Sequence, residues 1–153
     1  MQTMLMAGVV LMAATVGADE KKVQEAEVPK PVLEAVAHKY PRARRVGYEK
    51  EIEKGRTTFE VKVVDGSRRI DVDLSIDGKI LAEEEVITMG DTPDAVRRAL
   101  ATSEKYGKWT VRRVERVVKD EKTDAPEFEI GLFSGAQRAE VTFAADGRVL
   151  STE

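Results

Sequence analysis

The chain has no cysteine, a single histidine and few aromatics, 5% of its 153 residues. Without cysteine there is no disulfide framework, thiolate zinc site, iron–sulfur cluster or thiol nucleophile, and stability must come from packing. His38 is the only imidazole, so neither a two-histidine metal site nor a triad with a second histidine can be assembled, and its place near the end of a predicted helix makes it solvent-facing. No glycine-rich phosphate loop precedes a helix, so nucleotide chemistry has no footing and no cofactor is expected. Charge of one sign is also missing: 25 Lys and Arg stand against 28 Asp and Glu. Such a balance gives no extended field to draw in nucleic acid or an anionic membrane.

Long hydrophobic runs are absent as well. The longest, residues 4–16 (MLMAGVVLMAATV), is short of the ~20 residues a membrane helix needs, and Val16-Gly17-Ala18 supplies the small residues that signal peptidase requires. Residues 1–18 therefore read as a signal peptide cleaved after Ala18, although its first residues carry no Lys or Arg. No cysteine follows to take a lipid anchor. The expected product is periplasmic or secreted, with no membrane insertion after cleavage.

What is present is a repetition. Residues 59–81, FEVKVVDGSRRIDVDLSIDGKIL, are echoed by residues 128–150, FEIGLFSGAQRAEVTFAADGRVL, with Phe, Gly, Arg, Val and Asp-Gly returning at a constant offset of 69. In both copies apolar and polar residues alternate with the period of a strand buried on one face. The organisation expected is a charged, disordered lead-in (19–27) followed by two repeats, 28–88 and 89–153.

Within the first repeat, Pro29 and Pro31 open a helix whose inner stripe is Leu33, Val36, Ala37 and Tyr40, and Pro41 stops it. A strand from about 45 to 53 turns at Lys54-Gly55. A two-residue turn at Asp65-Gly66 would set Val61 against Ile70 and Phe59 against Val72 inside, and Lys62 against Arg69 and Glu60 against Asp71 outside. The same construction at Ser134-Gly135 sets Ile130 against Ala139, Phe128 against Val141 and Glu129 against Glu140. At Asp77-Gly78 and Asp146-Gly147, a three-residue loop pairs Leu74 with Ile80 and Phe143 with Val149, leaving Leu81 and Leu150 outward. In the second repeat Thr92 is the expected N-cap, Pro93 the first helical residue, Val96, Ala99, Leu100 and Ser103 the inner stripe, and Gly107 the stop. Strand five, near 109–119, alternates too poorly for its register to be set, and Arg112, Arg113 and Arg116 on it read as a strand face balanced by nearby Glu.

The fold class is thus α+β: two units of one helix and four antiparallel strands, able to join into one curved eight-stranded sheet with helices on one face. The order P-x-x-V-x-x-A (Pro29, Val32, Ala35; Pro93, Val96, Ala99), then F-E-V or F-E-I, then D-G-[KR]-[IV]-L resembles the β-lactamase-inhibitor-like PepSY-like family across both repeats. The resemblance implies an exported protein that binds or inhibits other proteins, with no agreed catalytic residues. In the inhibitor for which that likeness is named, the open sheet face and a hairpin engage the enzyme; the corresponding hairpin here carries Asp65 and Gly66. Large aromatic anchors are missing from the predicted wet face, so a β-lactamase is not the expected target.

The expected function is a non-enzymatic protein-binding or inhibitor-like module for an exported or envelope protein. The candidate contact face is Glu60, Lys62, Asp65, Arg69, Asp71, Asp73, Glu129, Arg138 and Glu140. Two alternatives stand beside it. Asp73-x-Ser75-x-Asp77-Gly78-x-Ile80-x-x-x-Glu84 matches the spacing of a calcium-binding EF-hand loop, though the preceding residues read as strand rather than helix. The other is an envelope structural module acting only through self-association. Acid–base catalysis by Glu60 and Asp71 would need a cleft and tuned acidities that an open sheet does not offer.

Overall fold

The computed structural model describes residues 19–119 and 125–153; the expected signal peptide lies outside them. The strands β1 (Asp19–Lys22), β2 (Arg44–Glu53), β3 (Arg56–Asp65), β4 (Arg68–Ser75), β5 (Ile80–Val86), β6 (Thr110–Lys119), β7 (Glu127–Ser134), β8 (Gln137–Ala144) and β9 (Val149–Thr152) form one antiparallel sheet in sequence order. The helices are α1 (Lys30–Lys39) and α2 (Asp94–Ala101). The α+β architecture with one continuous curved sheet is as expected, with one strand more. That strand comes from the residues expected to be a disordered lead-in: 19–22 pair with β2, a 3-10 turn follows at Glu25–Glu27, and Val23 and Val28 are buried in the core. The charges of this segment hid the well-placed Val23; Val28 already belongs to the first expected repeat.

Alternation sends Phe59, Val61 and Val63 of β3 and Ile70, Val72 and Leu74 of β4 to the face that α1 covers with Val32 and Val36. Val114, Phe128, Ile130, Leu132, Val141 and Phe143 meet Val96 and Leu100 of α2 on that same face. The two cores are separate because the strands between them carry charge on the helix side. There Glu85 pairs with Arg68 and Arg116 at 2.7 and 2.6 Å, and Glu83 takes Lys39 at 2.6 Å and the Tyr40 hydroxyl. The stripe of α1 differs from expectation: Val32 is fully buried and Ala37 exposed. Thr92 does not cap α2 either. Pro93 occupies the N-cap, α2 stops at Ala101 before Gly107, and buried Thr92 donates its hydroxyl to the Met89 carbonyl of the preceding 3-10 turn.

Both central hairpins are offset by two residues from the expected register, identically. Phe59 faces Leu74, Val61 Val72 and Glu60 Asp73; Phe128 faces Phe143, Ile130 Val141 and Glu129 Thr142. The loops are Gly66-Ser67 and Gly135-Ala136, with positive φ at the glycine alone, the turn type that wants glycine at its first central position. A two-residue slip preserves every side chain's face. The pairings Leu74–Ile80 and Phe143–Val149 are as expected, with Leu81 and Leu150 as the extra residues of bulges, but Val149, expected inside, is 50% exposed on the last strand.

Candidate functional site: an uncovered acidic sheet face

No described helix lies on the second face of the sheet, and the register fixes its rungs. One rung runs Lys22, Glu49, Glu60, Asp73, Ala82, Lys119 from β1 to β6. The next runs Gly47, Lys62, Asp71, Glu84, Val117, Glu127 from β2 to β7. A third joins Val86, Glu115, Glu129, Thr142 and Ser151. Of the residues expected to share a contact surface, Glu60, Lys62, Arg69, Asp71, Asp73, Glu129, Arg138 and Glu140 do lie on this face. Asp65 alternates to the other side at the hairpin end.

The face is less wet than its composition suggests. Asp73 is 5% exposed, Glu129 7%, and Glu49 and Glu115 8%. Carboxylates at such burial need partners, and the sheet supplies two cations by one steric device. Opposite Lys62 stands Gly47, whose missing side chain lets the lysine stem lie flat; a Cβ there would stand 3.4 Å from Lys62 Cδ. The Lys62 ammonium reaches Glu49 at 2.9 Å and Glu60 at 3.0 Å. In the second half Gly131 stands opposite Arg113, which reaches Glu115 at 2.5 Å and Asp71 at 3.5 Å.

Between these two struts the acids of β4 and β5 are left over. Asp73 Oδ2 and Glu84 Oε1 are buried without any hydrogen-bond partner. Burial, then the Asp73 charge and those of Glu129, Glu115 and Glu60, push Glu84 up to about 9. Burial together with Glu60, Asp71 and Glu51 raises Asp73 well above the usual carboxylate range. Glu129 is raised to about 7 by burial and Glu140, and Glu20 to about 7 through its hydrogen bond to Glu49. Burial also raises Glu60, Asp71, Glu115 and Glu140. Near neutral pH the centre of the face therefore holds protons that incoming positive charge would expel.

Glu84 and Glu115 were not among the candidate residues. Glu84 was visible only as the closing position of the EF-hand-like spacing, and Glu115 lay on the strand whose register the sequence left open. The EF-hand geometry itself does not form. Residues 73–84 are a β-hairpin, with Asp77 at its tip receiving the Ser75 hydroxyl, and β4 stands where the entering helix would be. Among the described residues no group of three or more His, Asp or Glu side chains converges to hold a metal ion. Catalysis by Glu60 and Asp71 loses its geometry too, since Glu60 faces Asp73 and Asp71 faces Lys62. A cavity of about 480 Å³ lies on the helix side instead, between α1 and β2, lined by Val36, Tyr40, Ala43, Arg45 and Val63.

No family model and no curated protein matches the sequence. Solved structures share the fold. A candidate periplasmic protein from Bacteroides eggerthii DSM 20697 superposes with a TM-score of 0.70 at 22% identity, covering 82% of this chain and 88% of that one. A DUF2874 family protein from Bacteroides uniformis ATCC 8492 gives 0.70 at 18%, covering 82% and 88%. A BLIP-like protein from Bacteroides fragilis NCTC 9343 gives 0.65 at 20%, covering 82% and 85%. The chain thus has a BLIP-like fold.

Proposed function

We propose that this protein is an exported, non-enzymatic binding module of the PepSY-like kind, built from two copies of one ancestral unit, which engages another protein of the cell envelope through the uncovered acidic face. The observation that carries this reading is the pair of buried, unpartnered carboxyl oxygens, Asp73 Oδ2 and Glu84 Oε1, on a face that no described helix covers. A fold that needed this face only for packing would be more stable with paired or apolar groups there. Export is supported by the sequence of residues 1–18 and by the periplasmic description of a fold relative. The acidic rungs carry no aromatic, and Phe133 on the same face lies under the Arg138 guanidinium, which favours a charge-steered partner over an aromatic-anchored one.

The test is a photo-crosslinking amino acid placed at Arg69 or Arg138, both exposed on the acidic face, and at Glu34 on the outer side of α1. In cells of the producing organism a protein partner is expected to crosslink from the first two positions and not from Glu34. Equal or absent crosslinking from all three overturns the reading.

A further inference from the structure

We propose that the acidic rungs dock a Lys/Arg-rich segment of a partner protein, whose cationic side chains enter between Glu60, Asp73, Glu84 and Glu115. This rests on the reading of the face as a protein-binding surface and adds the chemistry of the occupant. Three observations carry it. First, Asp73 is 95% buried on the 5% exposure noted above, and its Oδ2, like Glu84 Oε1, faces into the cluster with no hydrogen bond. The fold itself supplies neither oxygen with a partner. Second, the acids are spread across neighbouring strands, about 4.8 Å apart per strand, instead of converging on one point. The rungs from β2 to β7 therefore extend over roughly 24 Å, which suits several side-chain cations along a polypeptide better than one metal ion. Third, the chain already uses the same chemistry twice: Lys62 and Arg113 each bridge two carboxylates from a glycine-opposed position. Among the described residues the central site between them has no such strut: Ala82 and Val117 fill the corresponding positions beside Asp73 and Glu84, and Lys119, opposite Ala82, reaches Glu127 at 2.8 Å.

Docking is coupled to proton release. The groups facing Asp73 are Glu51 from β2, Glu60 and Lys62 from β3 and Asp71 on its own strand; those facing Glu84 are Asp73, Glu60, Glu115 and Glu129, with the Arg113 guanidinium of β6 as the nearby cation. Positive charge arriving there favours the ionised forms, so the segment binds more tightly as pH rises, while a lysine side chain stays charged up to about pH 10.

A decalysine peptide serves as the probe, titrated calorimetrically into the protein at pH 6 and pH 8.5 in buffers of different ionisation enthalpy. Binding at least tenfold tighter at pH 8.5, with protons released to the buffer, is expected. The double variant Asp73→Asn, Glu84→Gln, which keeps side-chain shape, should lose at least tenfold in affinity and most of the proton release. Glu34→Gln, on the opposite side of the molecule, should behave as the unaltered protein does. Undiminished binding by the double variant overturns the proposal, as does binding without proton release. Calcium ions alone displacing the peptide at micromolar concentration overturn it in favour of an ion site. A concentration-dependent oligomer that the peptide dissociates overturns it in favour of a second copy as the occupant. If the double variant still crosslinks the same partner from Arg69 and Arg138, the cationic-segment proposal fails while the protein-binding reading stands. Normal peptide binding with no crosslinked protein has the reverse meaning.

Discussion

Replacing Glu84 with Gln should stabilise this protein, and the gain should depend on pH. In the unfolded chain the Glu84 carboxyl titrates near 4.5, whereas in the folded sheet burial and then the Asp73 charge raise it to about 9. Folding therefore takes up a proton, so the slope of stability against pH is negative between those values. The stability associated with the protonated group is fully present below 4.5 and is lost as pH rises towards 9. At pH 7 the ionised unfolded state is favoured over the protonated folded group by roughly 2.5 pH units, or up to about 3 kcal/mol at 1.36 kcal/mol per unit. Glutamine keeps the shape and has no charge to lose on folding. Urea unfolding at pH 4.5, 7 and 9 should therefore show little difference between Glu84→Gln and the unaltered protein at pH 4.5, a gain of about 1–3 kcal/mol at pH 7, or several degrees in Tm, and a larger gain at pH 9. The unaltered protein should itself be more stable at pH 5 than at pH 9. A variant that is equally or less stable at every pH, or an unaltered protein most stable at pH 9, would refute the reasoning.

Gly78→Ala and Gly147→Ala should each destabilise by more than about 2 kcal/mol in chemical unfolding, since a Cβ would stand 2.5 Å from the Pro31 carbonyl or 2.6 Å from that of Ala95, at positive φ. Gly66→Ala, with open space around it, should cost only about 1 kcal/mol. Phe59→Ala and Phe128→Ala should lower stability by similar amounts, about 3–5 kcal/mol, because both rings are buried at matching positions of the two cores. Val117→Lys, placing an ammonium in the rung beside Glu84, should flatten the fall in stability between pH 7 and 9 and weaken decalysine binding, both readable by the assays above.

Face membership was legible from residue types because a period of two survives any even slip of register. Phe59, Val61, Ile70 and Val72 go to the core whether the loop is Asp65-Gly66 or Gly66-Ser67. The partners across the strands were not legible, because the choice between primed turns depends on whether one or two central residues take positive φ. At Lys54-Gly55 both do, and the expected turn is the observed one; at Gly66-Ser67 only the glycine does. The burial of the acids was hidden for a different reason. Alternation marks Glu60, Asp73 and Glu129 as pointing away from the helices, which for a flat sheet means into water. Their burial arises from curvature and from neighbours on other strands, notably Val117 and the stems of Lys62 and Arg113, whose placement needs the full nine-strand register.

The two halves answer the same electrostatic problem with opposite residues, which separates what the fold requires from what the face is for. Each half sets one glutamate directly against another, Glu49 against Glu60 and Glu115 against Glu129. Each sets a cation from the adjoining rung against the pair: Lys62 reaches both Glu49 and Glu60, and Arg113 reaches Glu115. In the first half the glycine is on the earlier strand of the pair, β2, and the cation on the later one, β3; in the second that chain order is exchanged, Arg113 on β6 and Gly131 on β7. The physical need is one long cation lying over one missing side chain, and it is indifferent to which strand supplies which. A sheet able to meet that need twice could meet it a third time at Ala82 or Val117, beside Asp73 and Glu84. It sets apolar groups there instead, which deepen the desolvation of both acids and leave their free oxygens buried. Stability alone does not favour that choice, and local departures of this kind are expected where a surface serves a partner. The missing third strut is the feature on which the proposed docking of a cationic segment rests.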